Sequence, residues 1–211
     1  MTTILQILVS PRPQSLSRMM AGEIVARLAA LQPAAHIVTR DLAADPPPHP
    51  DRALYDAILS QAPDADPAFA LSERYIVELD AADWIVIGTP MNNFTVPSTL
   101  KAWLDHIVRI RRTFRSTPHG KIGLLRDRPL FVVSAHGGYC SGEPPPQPDF
   151  LTPYLRAIFA TIGITQSEFI RLEGVTRGPE PLEMALAGAR AWIDRRLPLA
   201  APAMAIAAGL S

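Results

Sequence analysis

Three short stretches of the chain carry residues suited to holding a ligand. The first, Ser10-Pro11-Arg12-Pro13-Gln14-Ser15-Leu16-Ser17, gathers hydroxyls and backbone N–H groups where a helix should begin. A helix N-terminus presents unpaired donors and about half a positive charge, which makes it a natural seat for a phosphate. Arg12 adds a mobile cation; the plain alternative is that Ser15 or Ser17 is an N-cap. In the second, Thr89 to Pro97, the amides of Asn92 and Asn93 can read the edge of a heterocycle while Met91 and Phe94 pack on its face. The alternative there is a core Phe94 and turn-forming asparagines. The third, Ser134-Ala135-His136-Gly137-Gly138, has a glycine pair that lets backbone approach a ligand closely, with His136 beside it. Its alternative is an ordinary turn with a surface histidine.

Other chemistries lack their signatures. There is no GxGxxG, no GxxxxGK[ST] and no GxSxG, which argues against a Rossmann dinucleotide site, a P-loop and a serine-hydrolase elbow. His36, His49, His106 and His119 show no metal-ligand spacing, and the single cysteine, Cys140, excludes an internal disulfide or thiolate cage. Arg109, Arg111, Arg112 and Arg115 are expected to be mostly solvated charge near a helix C-terminus. With 20 Lys+Arg against 20 Asp+Glu, no basic balance attracts nucleic acid. The first residues have no basic n-region, and the uncharged run Leu197 to Ser211 is too short and proline-broken for a bilayer. A reduced, cytoplasmic setting without membrane or nucleic-acid partners is expected. Two proline clusters, 46–50 and 144–148, are expected to form stiff extended loops.

The elements that must position these stretches follow from periodicity. Short apolar runs at Ile4–Val9, His36–Arg40, Trp84–Thr89, Leu130–Ser134 and Glu168–Leu172 predict strands. Helices are predicted from Ser15 to Leu31 (with Met19, Ile24, Leu28 and Leu31 on one face), Ala53 to Ser60, Ala68 to Ala81, Ser98 to Arg111, Thr152 to Ile162 and Pro181 to Arg196. This alternation predicts an α/β fold: a flavodoxin-like, doubly wound, five-stranded parallel sheet of order 2-1-3-4-5 with helices on both faces. One domain over 1–197 is expected, followed by an Ala/Pro-rich tail, 198–211. Ligands of such sheets bind beyond the strands' carboxyl ends, where all three stretches fall.

Thr89-Pro90-Met91-Asn92-Asn93-Phe94, followed by Leu100-Lys101-Ala102-Trp103-Leu104-Asp105, resembles the APMYNF…LKxxxD segment of the FMN-dependent NADH-azoreductases, which also reduce quinones. The resemblance runs through Ser10, Ser15-Leu16-Ser17, Thr113-Phe114-Arg115, Ala135-His136-Gly137-Gly138, Leu151-Thr152-Pro153-Tyr154-Leu155, Ile162-Gly163-Ile164 and Glu173-Gly174-Val175 to Gly178-Pro179-Glu180. It implies a homodimer with non-covalent FMN, reduced by NADH or NADPH and reoxidised by a quinone or azo acceptor in ping-pong fashion, with no catalytic side chain required. By the same resemblance Ser10, Ser15, Leu16 and Ser17 hold the phosphate. Pro90, Met91, Asn92, Asn93 and Phe94 border the isoalloxazine, and Ala135, His136, Gly137 and Gly138 meet its pyrimidine end, with His136 adding charge if protonated.

The chain departs from that pattern in four places. Asn92 replaces the usual Tyr, Ala135-His136 the commoner Ser-Arg, and Ser116 an aromatic residue, while the proline loop 142–149 is extra. Small residues at 92 and 116 imply a wider acceptor cavity. Three rivals share the fold: a flavodoxin-type electron carrier, which its zero net charge disfavours, an NADPH-dependent quinone or drug-modulator reductase, and a flavin-free scaffold. The segment Phe150–Leu155 is expected to be too apolar for an exposed edge and so to mark an interface.

Overall fold

The computed structural model describes residues 1–199, so the expected tail lies outside the described residues except for its first two positions. In chain order the elements are β1 (Thr3–Leu8), α1 (Leu16–Leu31), β2 (His36–Asp41), α2 (Arg52–Leu59), a 3₁₀ turn (Pro67–Phe69), α3 (Ala70–Ala81) and β3 (Trp84–Pro90). There follow α4 (Ser98–Ile107), β4 (Phe114–Thr117), β5 (Gly120–Gly123), β6 (Leu130–Ala135), α5 (Leu151–Thr161), β7 (Ser167–Leu172) and α6 (Pro179–Arg196). The main sheet runs β2-β1-β3-β6-β7, all parallel. With the β4–β5 hairpin set aside, this is the predicted order 2-1-3-4-5.

The central strands β1, β3 and β6 are largely apolar on both faces because helices cover both, while the edge strand β2 is mostly exposed. Ile4, Val86, Phe131 and Val133 pack with Met20, Ile24 and Leu28 of α1 and Ile193 of α6. Leu5, Ile7, Ile85, Ile87 and Val132 pack with Ile76 of α3, Trp103 of α4 and Phe159 of α5. Alternate residues along a strand point to opposite faces, so each central strand feeds both cores.

Local packing alters several sequence expectations. Met19 and Leu31 are exposed, because the buried stripe of α1 is set by Ser17, Met20, Ala21, Ile24, Val25 and Leu28. The helix expected to reach Arg111 ends at Ile107. There the buried Thr113 hydroxyl donates to the Ile107 carbonyl at 2.7 Å and accepts the Arg109 N–H at 2.9 Å, folding the chain into the hairpin, which periodicity did not reveal. Arg109 is not solvated: it is buried, stacks 4.4 Å from the Phe69 ring centroid and bonds Glu73 at 2.6 Å, an acid it shares with Arg112. Burial alone would raise the Glu73 carboxyl, yet hydrogen bonds from these two guanidiniums hold it below its ordinary range. In the segment expected to be too apolar for exposure, Leu151 and Leu155 are core and Phe150 is exposed.

One contact sets the height of α1 over the sheet. A Cβ added to Gly88 of β3 would lie 2.6 Å from the Ser17 carbonyl oxygen and 2.9 Å from Ala21 Cβ. Only glycine permits the first turns of α1 to rest on the strand there. Gly88→Ala is therefore expected to destabilise the protein by about 2 kcal/mol or more. Gly22→Ala, where a Cβ meets nothing within 4 Å, should be neutral or stabilise by up to about 1 kcal/mol. Urea midpoints of the two variants check this; equal shifts would contradict the packing account.

Candidate functional site

The first loop is built so that its donors remain free. Ser15 is the N-cap of α1, but its hydroxyl sits 3.0 Å from the Ser17 hydroxyl instead of capping, and the first turn holds no acidic residue. Among the described residues, the N–H groups of Leu16, Ser17 and Arg18 have no hydrogen-bond partner. A helix start left this way needs an outside acceptor, water or a ligand. The loop itself is pinned. Arg18 Nε donates to the Ser10 carbonyl at 2.6 Å, and the same guanidinium forks onto Asp41 at the end of β2 at 2.7 and 2.8 Å. Hydrogen bonding from Arg18 is the main cause of Asp41's lowered carboxyl pKa, with the Ala43 and Ala44 N–H groups helping.

The loop after β6 turns its carbonyls away and leaves two N–H groups unused. The carbonyls of His136, Gly137 and Gly138 accept from Val175 N–H (3.1 Å), Thr176 Oγ1 (2.9 Å) and Gly174 N–H (3.0 Å). Glu173 accepts the N–H groups of Cys140 and Ser141, both at 3.1 Å. The N–H groups of Gly137 and Gly138 find no partner among the described residues. The His136 ring is fully buried, with Nε2 2.7 Å from Ser134 Oγ and Nδ1 3.2 Å from Cys140 Sγ. It is therefore not a surface histidine, and its burial disfavours the protonated form on which any charge from it depends. Burial pushes its pKa down, Arg171 acts in the same direction, and Asp149 and Glu173 oppose them.

In the loop after β3, Met91 N–H donates to the Ala135 carbonyl at 2.9 Å, and Asn92 and Thr95 exchange backbone hydrogen bonds at 2.9 and 3.0 Å. Asn93 and Phe94 take positive φ, 47° and 69°, an uncommon state for a bulky aromatic. Phe94 is 43% exposed, so it is not core.

Together the loops enclose a cleft of about 480 Å³ beyond the sheet's carboxyl edge, within the range of small-ligand sites. Ser10, Ser15, Leu16, Pro90, Met91, Ala135 and Gly137 line it, and Arg12 is the one cation on its wall. Ser17 is buried beneath, while Asn92, Asn93, Phe94, His136 and Gly138 are not on the wall. Gln14, Val175, Thr176 and Leu182 also line it and were not singled out from the sequence. The last three follow β7, and the rule that ligands sit beyond carboxyl ends applies to that strand too. Another cleft of similar volume lies between β7 and α6, beside Met184 and Trp192. Among the described residues no helix is long and apolar enough to cross a membrane, and no His/Cys/Asp/Glu group is arranged to hold a metal.

The buried imidazole gives a pH signature. Because the folded state keeps His136 neutral, unfolding takes up a proton below about pH 6.5, and stability falls as the pH drops through that value; above it the ring contributes no pH dependence. The melting-temperature advantage of the wild type over His136→Asn is expected to be flat from about pH 8 to 7 and to shrink from about pH 6.5 downward. An advantage independent of pH would contradict a buried neutral ring.

Comparison with known proteins agrees with this geometry. Residues 2–197 match the family model described as "Flavodoxin-like fold". The chain is 47% identical over 197 residues to FMN-dependent NADH:quinone oxidoreductase 2 of Cupriavidus pinatubonensis, covering 91% of this chain and 96% of that protein. It is 45% identical over 176 residues to FMN-dependent NADH:quinone oxidoreductase 5 of Burkholderia lata, covering 83% and 86%. The crystal structure of an azoreductase from Bacillus anthracis superposes with a TM-score of 0.83 at 24% identity, over 93% of this chain and 99% of that one, a likeness of fold. With its sheet order, its open α1 start and a match along nearly all its described length, the chain belongs to the flavodoxin-like fold family, alongside these FMN-dependent NADH:quinone oxidoreductases.

Proposed function

We propose that this protein holds FMN non-covalently and uses it to carry two electrons from NADH or NADPH to quinones and azo compounds. The observation that carries the reading is the unanswered start of α1: three N–H groups, no acidic side chain and a nearby Arg12, opening into the cleft. Such a donor set suits a phosphate dianion. The names of the relatives at 47% and 45% identity support the choice of FMN, NADH and quinone.

Bound FMN supplies hydride acceptance and two-electron delivery; the rest falls to the chain. Ser10, Ser15, Leu16 and Ser17 seat the phosphate. Pro90 to Phe94, Ala135, Gly137 and Gly138 border the ring, with His136 buried behind them and apolar Met91, Ala135 and Val175 shielding the ring from water. The unpartnered Gly137 and Gly138 N–H groups are available to a polar edge that gains negative charge on reduction. Among the described residues Arg12 is the one ionisable side chain on the wall, so in this reading protons for the acceptor come from water. Donor and acceptor occupy the same open side in turn, with Asn92 leaving room for bulky acceptors.

The working unit in this reading is a cytoplasmic homodimer. Phe94 and Phe150 are both exposed and are joined by the Phe150 N–H to Phe94 carbonyl bond, at 2.9 Å, on the loop that carries Met91. Paired exposed aromatics beside a site suit a subunit interface.

Ser15→Asp tests the phosphate seat. Aspartate is as good an N-cap as serine, so stability should hold or rise, while like charge should weaken FMN binding about 100-fold or more. Flavin titration and a melting curve read the two effects, and unchanged FMN affinity would sink the assignment. Without oxygen, NADH consumption should exceed one equivalent per FMN only when a quinone is present; a flavin-loaded protein inert toward quinones would overturn the enzymatic reading. Sedimentation at micromolar concentration should give twice the chain mass, and Phe94→Ser with Phe150→Ser should reduce it to one; a wild-type monomer with full activity would refute the dimer.

A further inference from the structure

We propose that Ser134, His136, Cys140 and the Pro148 carbonyl form a one-directional hydrogen-bond chain, with Gln147 donating into its sulfur, that holds the Gly137–Gly138 backbone in the shape FMN requires, with His136 and Cys140 as positioning residues that never touch the cofactor. This rests on the FMN reading above.

Hydrogen-bond bookkeeping fixes the direction. Ser134 Oγ is buried and has one partner among the described residues, His136 Nε2 at 2.7 Å, so the hydroxyl donates to that nitrogen. The neutral ring then carries its proton on Nδ1, aimed at Cys140 Sγ at 3.2 Å. Gln147 Nε2 donates to the same sulfur at 3.3 Å, and the thiol hydrogen faces the Pro148 carbonyl at 3.9 Å. Reversing the chain would leave the hydrogen of the fully buried Ser134 hydroxyl without a partner, a costly arrangement. The protein's one cysteine thus serves as a neutral acceptor, and burial, the main cause, pushes its thiol pKa up.

The chain reaches the ligand-facing backbone. A Cβ on Gly138 would lie 2.5 Å from Gln147 Oε1, so Gln147 packs directly against that glycine. Gln147 N–H also donates to the Tyr139 carbonyl at 3.2 Å, tying the proline loop back under the site. The glycine carbonyls are held from one side by the 174–176 segment; the side-chain relay holds the loop from the other. The extra proline segment and the histidine then act together, one supplying Gln147 and Pro148, the other the relay between strand and loop.

The test measures FMN affinity, by quenching of flavin fluorescence, for the full-length wild type and five variants, with melting curves of the flavin-free proteins. Cys140→Ala and His136→Phe are expected to weaken FMN binding about five- to tenfold, the worth of one hydrogen bond in a coupled network. Cys140→Ser, which keeps an acceptor and a donor, and His136→Asn, which keeps the donor toward residue 140, should stay within about threefold of wild type. The double variant His136→Phe/Cys140→Ala should be no weaker than the worse single one, because both break the same chain. Wild-type affinity in Cys140→Ala, equal losses for Cys140→Ser and Cys140→Ala, or additive losses would overturn the proposal. If His136→Phe fails to fold, the Cys140 pair alone decides. A wild type that binds no FMN would instead overturn the parent reading, and the two failures are distinct.

Discussion

The site depends on one close approach, that of the first turns of α1 to the bare backbone of Gly88. The Ser17 carbonyl occupies the space a side chain at position 88 would need. That contact brings the open end of the helix level with the carboxyl edge of β3, where Pro90 and Met91 emerge. A side chain at 88 would lift the helix and part the N–H donors from the opposite wall. The sheet order, with β1 and β3 adjacent, places the helix start and the β3 loop on the same edge, where α/β sheets bind ligands.

Around this contact the polar groups of the loops are largely satisfied internally, and the exceptions are informative. Arg18 bonds Ser10 and Asp41, Glu173 bonds Cys140 and Ser141, and Thr176 bonds Gly137. What remains is a small set of N–H groups: those of Leu16 and Gly137, on the wall of one cleft, and those of Ser17, Arg18 and Gly138 next to them in the chain. A rigid frame whose spare donors converge is preorganised for an anionic, polar-edged ligand. The opposite face of the sheet uses its buried cations structurally. Arg128 donates to the carbonyls of Leu79, Asp80 and Ala82 and so closes the end of α3, while Arg109 and Arg112 share Glu73.

The sheet was legible because its central strands, buried on both faces, read as apolar runs separated by helical periods, and with the more exposed edge strands β2 and β7 the alternation leaves few topologies. The first loop was legible as a candidate phosphate seat because serines at a strand-to-helix junction have a physical use there. What escaped depends on contacts distant in sequence. Thr113 ends α4 only because its hydroxyl meets the Ile107 carbonyl and the Arg109 N–H. Arg109 is buried because Glu73 and Phe69 await it from another element. His136 beside two glycines reads as a loop residue pointing at ligand, yet Ser134 and Cys140 draw it inward. Val175 and Thr176 reach the cleft through bonds to the 136–137 segment that no local pattern encodes.

The most direct test of the central claim, that the open start of α1 seats a phosphate, is the ratio of dissociation constants for riboflavin and FMN on the same flavin-free preparation. The two ligands share the ring and differ in the phosphate. Three backbone donors and a helix dipole directed at a dianion predict FMN binding tighter by at least about 100-fold, with the gap narrowing at high salt. Equal affinities for the two flavins would contradict the account.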